Sequence, residues 1–204
     1  EKALAKEKHV ADPVAQVFGS FAKGTLRMLD ILLQKYHLVA TNPPFLLRGS
    51  QSDTIRQFCA RKFPQSKKDL ATCFLERCRD FAVTGGYYAL VNPQNWLFLT
   101  TDKNLRKKLL TRQKWIALGR LGPRAFETIS GEVVQVALLV FQNTMPETET
   151  HKSFWGLDAS APTVPAEKAA LLGTAEGLML DQTGQLRNPD SRIVLGALDS
   201  SKLL

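Results

Sequence analysis

Residues 36–45 read YHLVATNPPF, and the two adjacent prolines constrain this chain more than any other feature. Residues 36–40 are near-continuously apolar, as in a strand buried on both faces of a parallel sheet. Pro43 and Pro44 cannot donate to a ladder, so the strand must end there and display the adjoining residues at its tip. An amide (Asn42), two stiff residues and an aromatic ring (Phe45) then stand at the carboxyl end of a strand. In open α/β sheets ligands bind at that end.

The rest of the chain alternates as an α/β fold requires. A helix is expected from about residue 14 to 21, broken near Gly19 and Gly24, and another over 25–35 with Leu26, Leu29 and Leu33 on one face. Asp12-Pro13 is a helix start signal. After the tip come a short helix at 53–61, a break at 63–66, and a longer helix from Ser66 or Lys67 through Leu70, Phe74 and Phe81 that Gly85-Gly86 ends. A second strand, 87–91, also runs into a proline, at Asn92-Pro93. A helix at 102–112 places Leu105, Leu109 and Leu110 inward. Strands come next at 115–121 and 132–142, with no helix between them, so they should pair antiparallel. Residues 1–35 form a helical lead-in, 36–142 the main domain, and 143–204 a linker and the start of a further region. In that region 166–172 is a helix candidate and 192–198 a strand candidate.

Charge narrows the partners. The chain carries 27 basic and 19 acidic residues, a net +8. That excess favours a polyanion, nucleic acid first, although a basic protein with solvated charged faces has the same count. The helix at 102–112 with Lys103, Arg106, Lys107, Lys108 and Arg112 has the same two readings: a track along DNA phosphates, or a solvated face. Cys59, Cys73 and Cys78 fit no zinc spacing and read as buried free thiols of a reducing compartment, hence a cytoplasmic protein. His9, His37 and His151 show no ligand spacing, and no metal is expected. No apolar run is long enough to span a membrane. The first residues lack the apolar core of a signal peptide. The chain begins at Glu1, which reads as a piece of something longer.

The tip suits one chemistry. The exocyclic amino nitrogen of a base is a poor nucleophile, because its lone pair is delocalised into the ring. Two acceptors aimed at its N–H groups hold it and favour a pyramidal nitrogen. The Asn42 side-chain oxygen and the Pro43 carbonyl can serve, with the prolines fixing the carbonyl direction. Phe45 offers a face for stacking, worth ~1–3 kcal/mol. No strong acid, base or metal is then needed. The alternative is an ordinary strand-ending turn.

TNPPF after an apolar strand resembles motif IV of the amino-group DNA methyltransferases that use S-adenosyl-L-methionine. Asp69-Leu70 through Phe74-Leu75-Glu76-Arg77 resembles the helix that succeeds this motif in large N6-adenine enzymes. Residues 87–93 (YYALVNP) with Trp96-Leu97 resemble their next strand and turn. Residues 126–134 (FETISGEVV), leading into VALLVF, resemble their late aromatic-loop-strand element. The set is most similar to adenine-specific methyltransferases of type IIG restriction–modification and of BREX phage defence.

The resemblance implies a partial Rossmann-like methyltransferase fold: the C-terminal half of the catalytic domain, with parallel strands and a final antiparallel hairpin. It implies Asn42, Pro43, Pro44 and Phe45 as the catalytic tip, and a flipped adenine as substrate. Phe126 becomes a second wall of the base pocket, or else a core plug. Arg48 is placed to meet phosphates around the extruded nucleotide. Trp96 is core or pocket wall, and Glu132 a structural carboxylate rather than a base. The family's glycine-rich turn and acidic cofactor residue precede this motif and have no match here, so the cofactor-binding residues are expected upstream. The partners implied are DNA and the missing N-terminal half or other subunits. Related enzymes that methylate RNA guanine or protein glutamine, and a non-catalytic scaffold, are the rival readings.

Overall fold

The structure, a computed structural model, describes residues 13–126, 134–146 and 153–196. Asp12, Glu132, most of the SGEVV stretch, His9, His151 and the residues beyond 196 lie outside the described residues.

Six strands form one mixed sheet in the order β1-β2-β4-β3-β5-β6. They are β1 (Tyr36–Thr41), β2 (Ala82–Pro93), β3 (Lys114–Gly122), β4 (Val136–Gln142), β5 (Ser153–Asp158) and β6 (Leu178–Asp181). β1 and β2 run parallel, and β3 and β4 pair antiparallel as expected. β4 also pairs antiparallel with β2, so it fills the place that the β2-to-β3 connection leaves open. β5 joins β3 in parallel, and β6 closes the far edge antiparallel. The tail therefore extends the same sheet. Residues 192–196 form no strand; there the Ile193 N–H donates to the Leu97 carbonyl at 3.0 Å, tying the segment to the body.

Successive residues of a strand face opposite sides, and β4 divides its apolar run accordingly. Ala137, Leu139 and Phe141 enter the main core with Tyr88, Leu90, Trp115 and Leu118. Val136 and Leu138 enter a smaller cluster on the other face. Helices α3 (Leu70–Phe81) and α4 (Lys103–Arg112) cover the first face with Leu75, Cys78, Leu105, Leu109 and Leu110. The Trp115 and Phe141 rings meet edge to face at 4.9 Å, a contact worth ~1 kcal/mol beyond the area it buries. Helix α5 (Pro165–Thr174) packs Leu171 and Leu172 on the second face. Two further helices, α2 (Asp53–Lys62) and α6 (Gln182–Arg187), complete the set.

Three local expectations change. Gly19 and Gly24 do not break the first helix: α1 runs unbroken over Pro13–Leu33. Each glycine costs a helix about 1 kcal/mol, which twenty-one residues of helix tolerate. Gly85-Gly86 ends no helix, because α3 stops at Phe81 and both glycines lie inside β2. At Gly86 a Cβ would stand 3.0 Å from the His37 carbonyl, so only glycine lets β1 approach there. The helix expected from residue 66 begins at Leu70 instead, because Asp69 is its cap and accepts from the Ala71 N–H.

The end of α1 is tied to the body. Arg77 donates to the Leu32 carbonyl, and the Tyr36 hydroxyl to the Ile31 carbonyl. Phe18, Phe21, Met28, Ile31 and Leu33 are exposed, and β1 beside them is an edge strand with Leu38 also exposed. No described helix is long and apolar enough to cross a membrane.

Candidate active site

β1 ends at Thr41, and the next four residues leave the sheet. Val39 pairs with Tyr88 and Thr41 with Leu90, both on the main-core face. Continuing the alternation, Asn42 falls on the opposite face and Pro43 on the core face. Burial agrees: Pro43 is buried and Asn42 exposed. Among the described residues the Asn42 side chain and the Pro43 carbonyl have no hydrogen-bond partner.

The tip is anchored by the start of α3. The Asp69 carboxylate accepts from the Leu46 N–H at 3.2 Å and from the Ala71 N–H at 2.8 Å. The Leu70 N–H donates to the Leu46 carbonyl, and the Gln51 side chain donates to the same oxygen at 3.0 Å. At the end of β2, the fully buried Asn92 donates to the Ala71 carbonyl at 2.9 Å. Asp69 and Asn92 thus hold both proline-ended tips to one helix start. The sequence carries a signal for Asp69, a capping residue before an apolar run, and the Asn-Pro repeat for Asn92. Their anchoring role emerges only in the fold.

Phe45 and Phe126 pack on one cluster. Both are half-buried and pack on the cluster of Leu121, Val136 and Ala159, with Val91 and Leu138, on the face that Asn42 shares. Pro44 is exposed between Pro43 and Phe45. Arg48 is half-buried just past the tip, its backbone N–H on the Lys68 carbonyl and its guanidinium on the Arg56 carbonyl at 3.3 Å. Trp96 is not with them. It is 3% exposed in the main core, 6.1 Å from the Trp115 ring and on the other face of the sheet, so it is a core residue and not a pocket wall.

The basic helix divides. Arg106 is fully buried and donates to the carbonyls of Trp96, Leu99, Asp190 and Ser191, which makes it an internal clamp and not a phosphate contact. Lys108 pairs with buried Glu76. Lys103, Lys107 and Arg112 are exposed. All three cysteines are free and buried, and burial pushes the Cys78 thiol up to about 11. A cavity of about 570 Å³ between α2 and α3 is lined by Phe58, Cys59, Cys73 and Phe74 but by none of the tip residues.

A family model, the Eco57I restriction-modification methylase, matches residues 5–124, more than half of the chain. The chain belongs to this family. It is 38% identical over 113 residues to the adenine-specific methyltransferase BrxX of Escherichia coli O9:H4 (strain HS), covering 55% of this chain and 9% of that protein. It is 34% identical over 122 residues to the adenine-specific methyltransferase PglX of Lacticaseibacillus casei (strain Zhang), covering 59% of this chain and 10% of that protein. The matched region thus spans about a tenth of each relative. Two solved structures share the fold. The type ISP restriction-modification enzyme LlaBIII bound to DNA aligns with a TM-score of 0.60 at 12% identity, over 85% of this chain and 13% of that one. A type I methyltransferase subunit from Streptococcus thermophilus aligns with a TM-score of 0.56 at 16% identity, over 80% and 38%.

S-adenosyl-L-methionine, which the family implies, does not find its whole cradle among the described residues. Among the described residues only a helix precedes β1, and β1 is the sheet edge, so no strand and glycine turn lies beside the tip on that side.

Proposed function

We propose that this chain is the acceptor half of an adenine-specific DNA methyltransferase that uses S-adenosyl-L-methionine, of the restriction–modification and phage-defence kind. The observation that carries the reading is the pair of acceptors without a partner among the described residues, Asn42 and Pro43, on the strand tip that also holds Phe45, with Phe126 packed on the same cluster as Phe45. A duplex keeps N6 of adenine inside the stack, so the base must be extruded to reach them. Phe45 and Phe126 stack on the flipped ring. The Asn42 side-chain oxygen and the Pro43 carbonyl accept from the two N6–H groups, which localises the nitrogen lone pair for attack. Arg48 neutralises a phosphate beside the extruded nucleotide.

The cofactor residues lie outside this chain, on strands that add to the open edge of β1 and cover the apolar face of α1. Those strands come from the same polypeptide or from another subunit. The free cysteines accord with a reducing, cytoplasmic setting. The experiment is Asn42→Ala in the full-length protein, assayed for methyl transfer to DNA and for DNA binding. Transfer is lost while binding survives. Transfer that persists overturns the assignment. Transfer to RNA or to a protein glutamine, but not to DNA, changes the acceptor and keeps the tip.

A further inference from the structure

Lys168 is the most unusual charge outside the proposed site. It sits on α5, yet its side chain is 2% exposed. Its ammonium donates to three carbonyls: Leu121 at 2.6 Å, Ala159 at 3.1 Å and Ser160 at 3.2 Å. A lysine ammonium has three donors, and all three are satisfied. Burying that charge is costly unless it is so bonded. A neutral side chain would fill the space at lower cost, so the arrangement calls for a geometric reason.

The three carbonyls supply one. Leu121 is near the end of β3, and Ala159 and Ser160 come just after β5, so the ammonium joins two separate chain segments. Other ties converge there. The Ala159 N–H donates to the Arg120 carbonyl at 2.8 Å, and Arg120 pairs with Asp158 at 3.2 Å. Gly122 has a φ of +63°, and a Cβ on it would stand 2.6 Å from that of Ser160, so the chain turns hard against the second segment. After this turn come Pro123, Arg124 with a φ of +57°, Ala125 and Phe126. Ala159, Leu171 and Leu172 belong to the cluster on which Phe126 and Phe45 pack.

We infer that Lys168 is a positioning residue: it clamps the root of the Phe126 loop to the β5–α5 connection and so makes 153–174 a working part of the base pocket. This rests on the reading of Phe126 as a pocket wall. The clamp sets where the ring stands; it touches neither base nor cofactor.

The test uses the full-length protein with Lys168→Met, Phe126→Ala and the double variant. Three readouts are compared: fluorescence of a duplex with 2-aminopurine at the target adenine, methylation kinetics, and amide exchange over residues 121–126. Lys168→Met keeps DNA affinity, speeds exchange over 121–126, and lowers both the flipped-base signal and kcat, by up to ~10²-fold, the scale set by a misplaced group. The double variant is no worse than Phe126→Ala alone, since both act through one ring. Multiplying effects, or a folded Lys168→Met protein with unchanged exchange and kcat, overturns the inference. Where Lys168→Met does not fold, Asp158→Asn loosens the same clamp at a half-buried ion pair, with the same expected signs and the same overturning results. Failure of the underlying reading looks different: Asn42→Ala then retains methylation, whereas the exchange readout reports the clamp regardless.

Discussion

Phe45 and Phe126 lie far apart in the chain and pack on one cluster, built on Leu121, Val136 and Ala159. Phe45 stands on a tip anchored by Asp69, and Phe126 on a loop leaving β3. Two independently fixed aromatic rings on one face can enclose a planar ring. Replacing either by alanine should cost ~1–3 kcal/mol of base stacking, seen as a lower 2-aminopurine signal and a raised KM for DNA. Kinetics unchanged from the parent in both variants would show that the base stacks elsewhere.

The Glu76 carboxylate links α3 to α4 through Lys108, and the Ser66 hydroxyl donates to it at 2.8 Å. The carboxylate is buried, whereas the Lys108 side chain is about a quarter exposed. Losing the partner of the deeper charge costs more. Lys108→Met should therefore destabilise by about 2–4 kcal/mol and Glu76→Gln by about 1–2 kcal/mol, because freed Lys108 can reach water. Urea denaturation of the two variants checks the order, and the reverse order would mean that Lys108 does not neutralise Glu76.

Burial raises Cys78 from 9.0 to about 11 and raises Cys73 further in the same direction, with the neighbouring Cys59 adding to it. In the unfolded chain both thiols ionise near their ordinary value. Between pH 9 and about 11 the folded state then binds more protons, so stability falls as pH rises. For Cys78 the loss is on the order of 2 kcal/mol across that window. Urea midpoints measured at pH 8, 9, 10 and 11 should decline, less steeply in Cys78→Ala. At pH 8 the native thiols should resist iodoacetamide and react once unfolded.

The parts of this fold that are legible in the sequence are those with strong periodicity or punctuation. The apolar run before NPPF and the VALLVF strand each declare themselves locally. The position of β4 between β2 and β3 does not, because strand order is decided by which neighbours bury both faces. β5 and β6 escape the sequence for a related reason. SFWGLD and LMLD are short; β5 depends on β6 for one side of its ladder, and among the described residues β6 pairs with β5 alone. Arg106 misleads most directly. On composition it belongs to a solvated helix face, and the carbonyls of Trp96, Leu99, Asp190 and Ser191 gathered round it allow it to be buried. At the proposed site, Asn42, Pro43 and Phe45 stand out in the sequence because adjacent prolines must end the strand. Asp69 and Asn92 act through contacts that no spacing encodes. Trp96 can be placed only by knowing which face of the sheet its turn covers.

The exposed face of α1 demands a partner. Phe21 is 74% exposed and Leu33 77%, with Phe18, Met28 and Ile31 beside them, and Leu38 extends the patch onto the edge strand. Each such side chain gains about 1.5–3 kcal/mol when buried, and β1, the sheet edge among the described residues, offers a row of backbone groups as well. A chain with this face open should self-associate and bind a hydrophobic dye. Phe21→Glu with Ile31→Glu should reduce both, because both side chains are exposed and neither belongs to the core; α1 is tied to the body near Leu32 and Tyr36. In the full-length protein the same pair should be harmful, lowering the affinity for S-adenosyl-L-methionine in calorimetry, since the strands proposed to carry that site pack here. Unchanged affinity with full stability would mean that α1 faces solvent in the whole enzyme and that the cofactor half docks on the β1 edge alone.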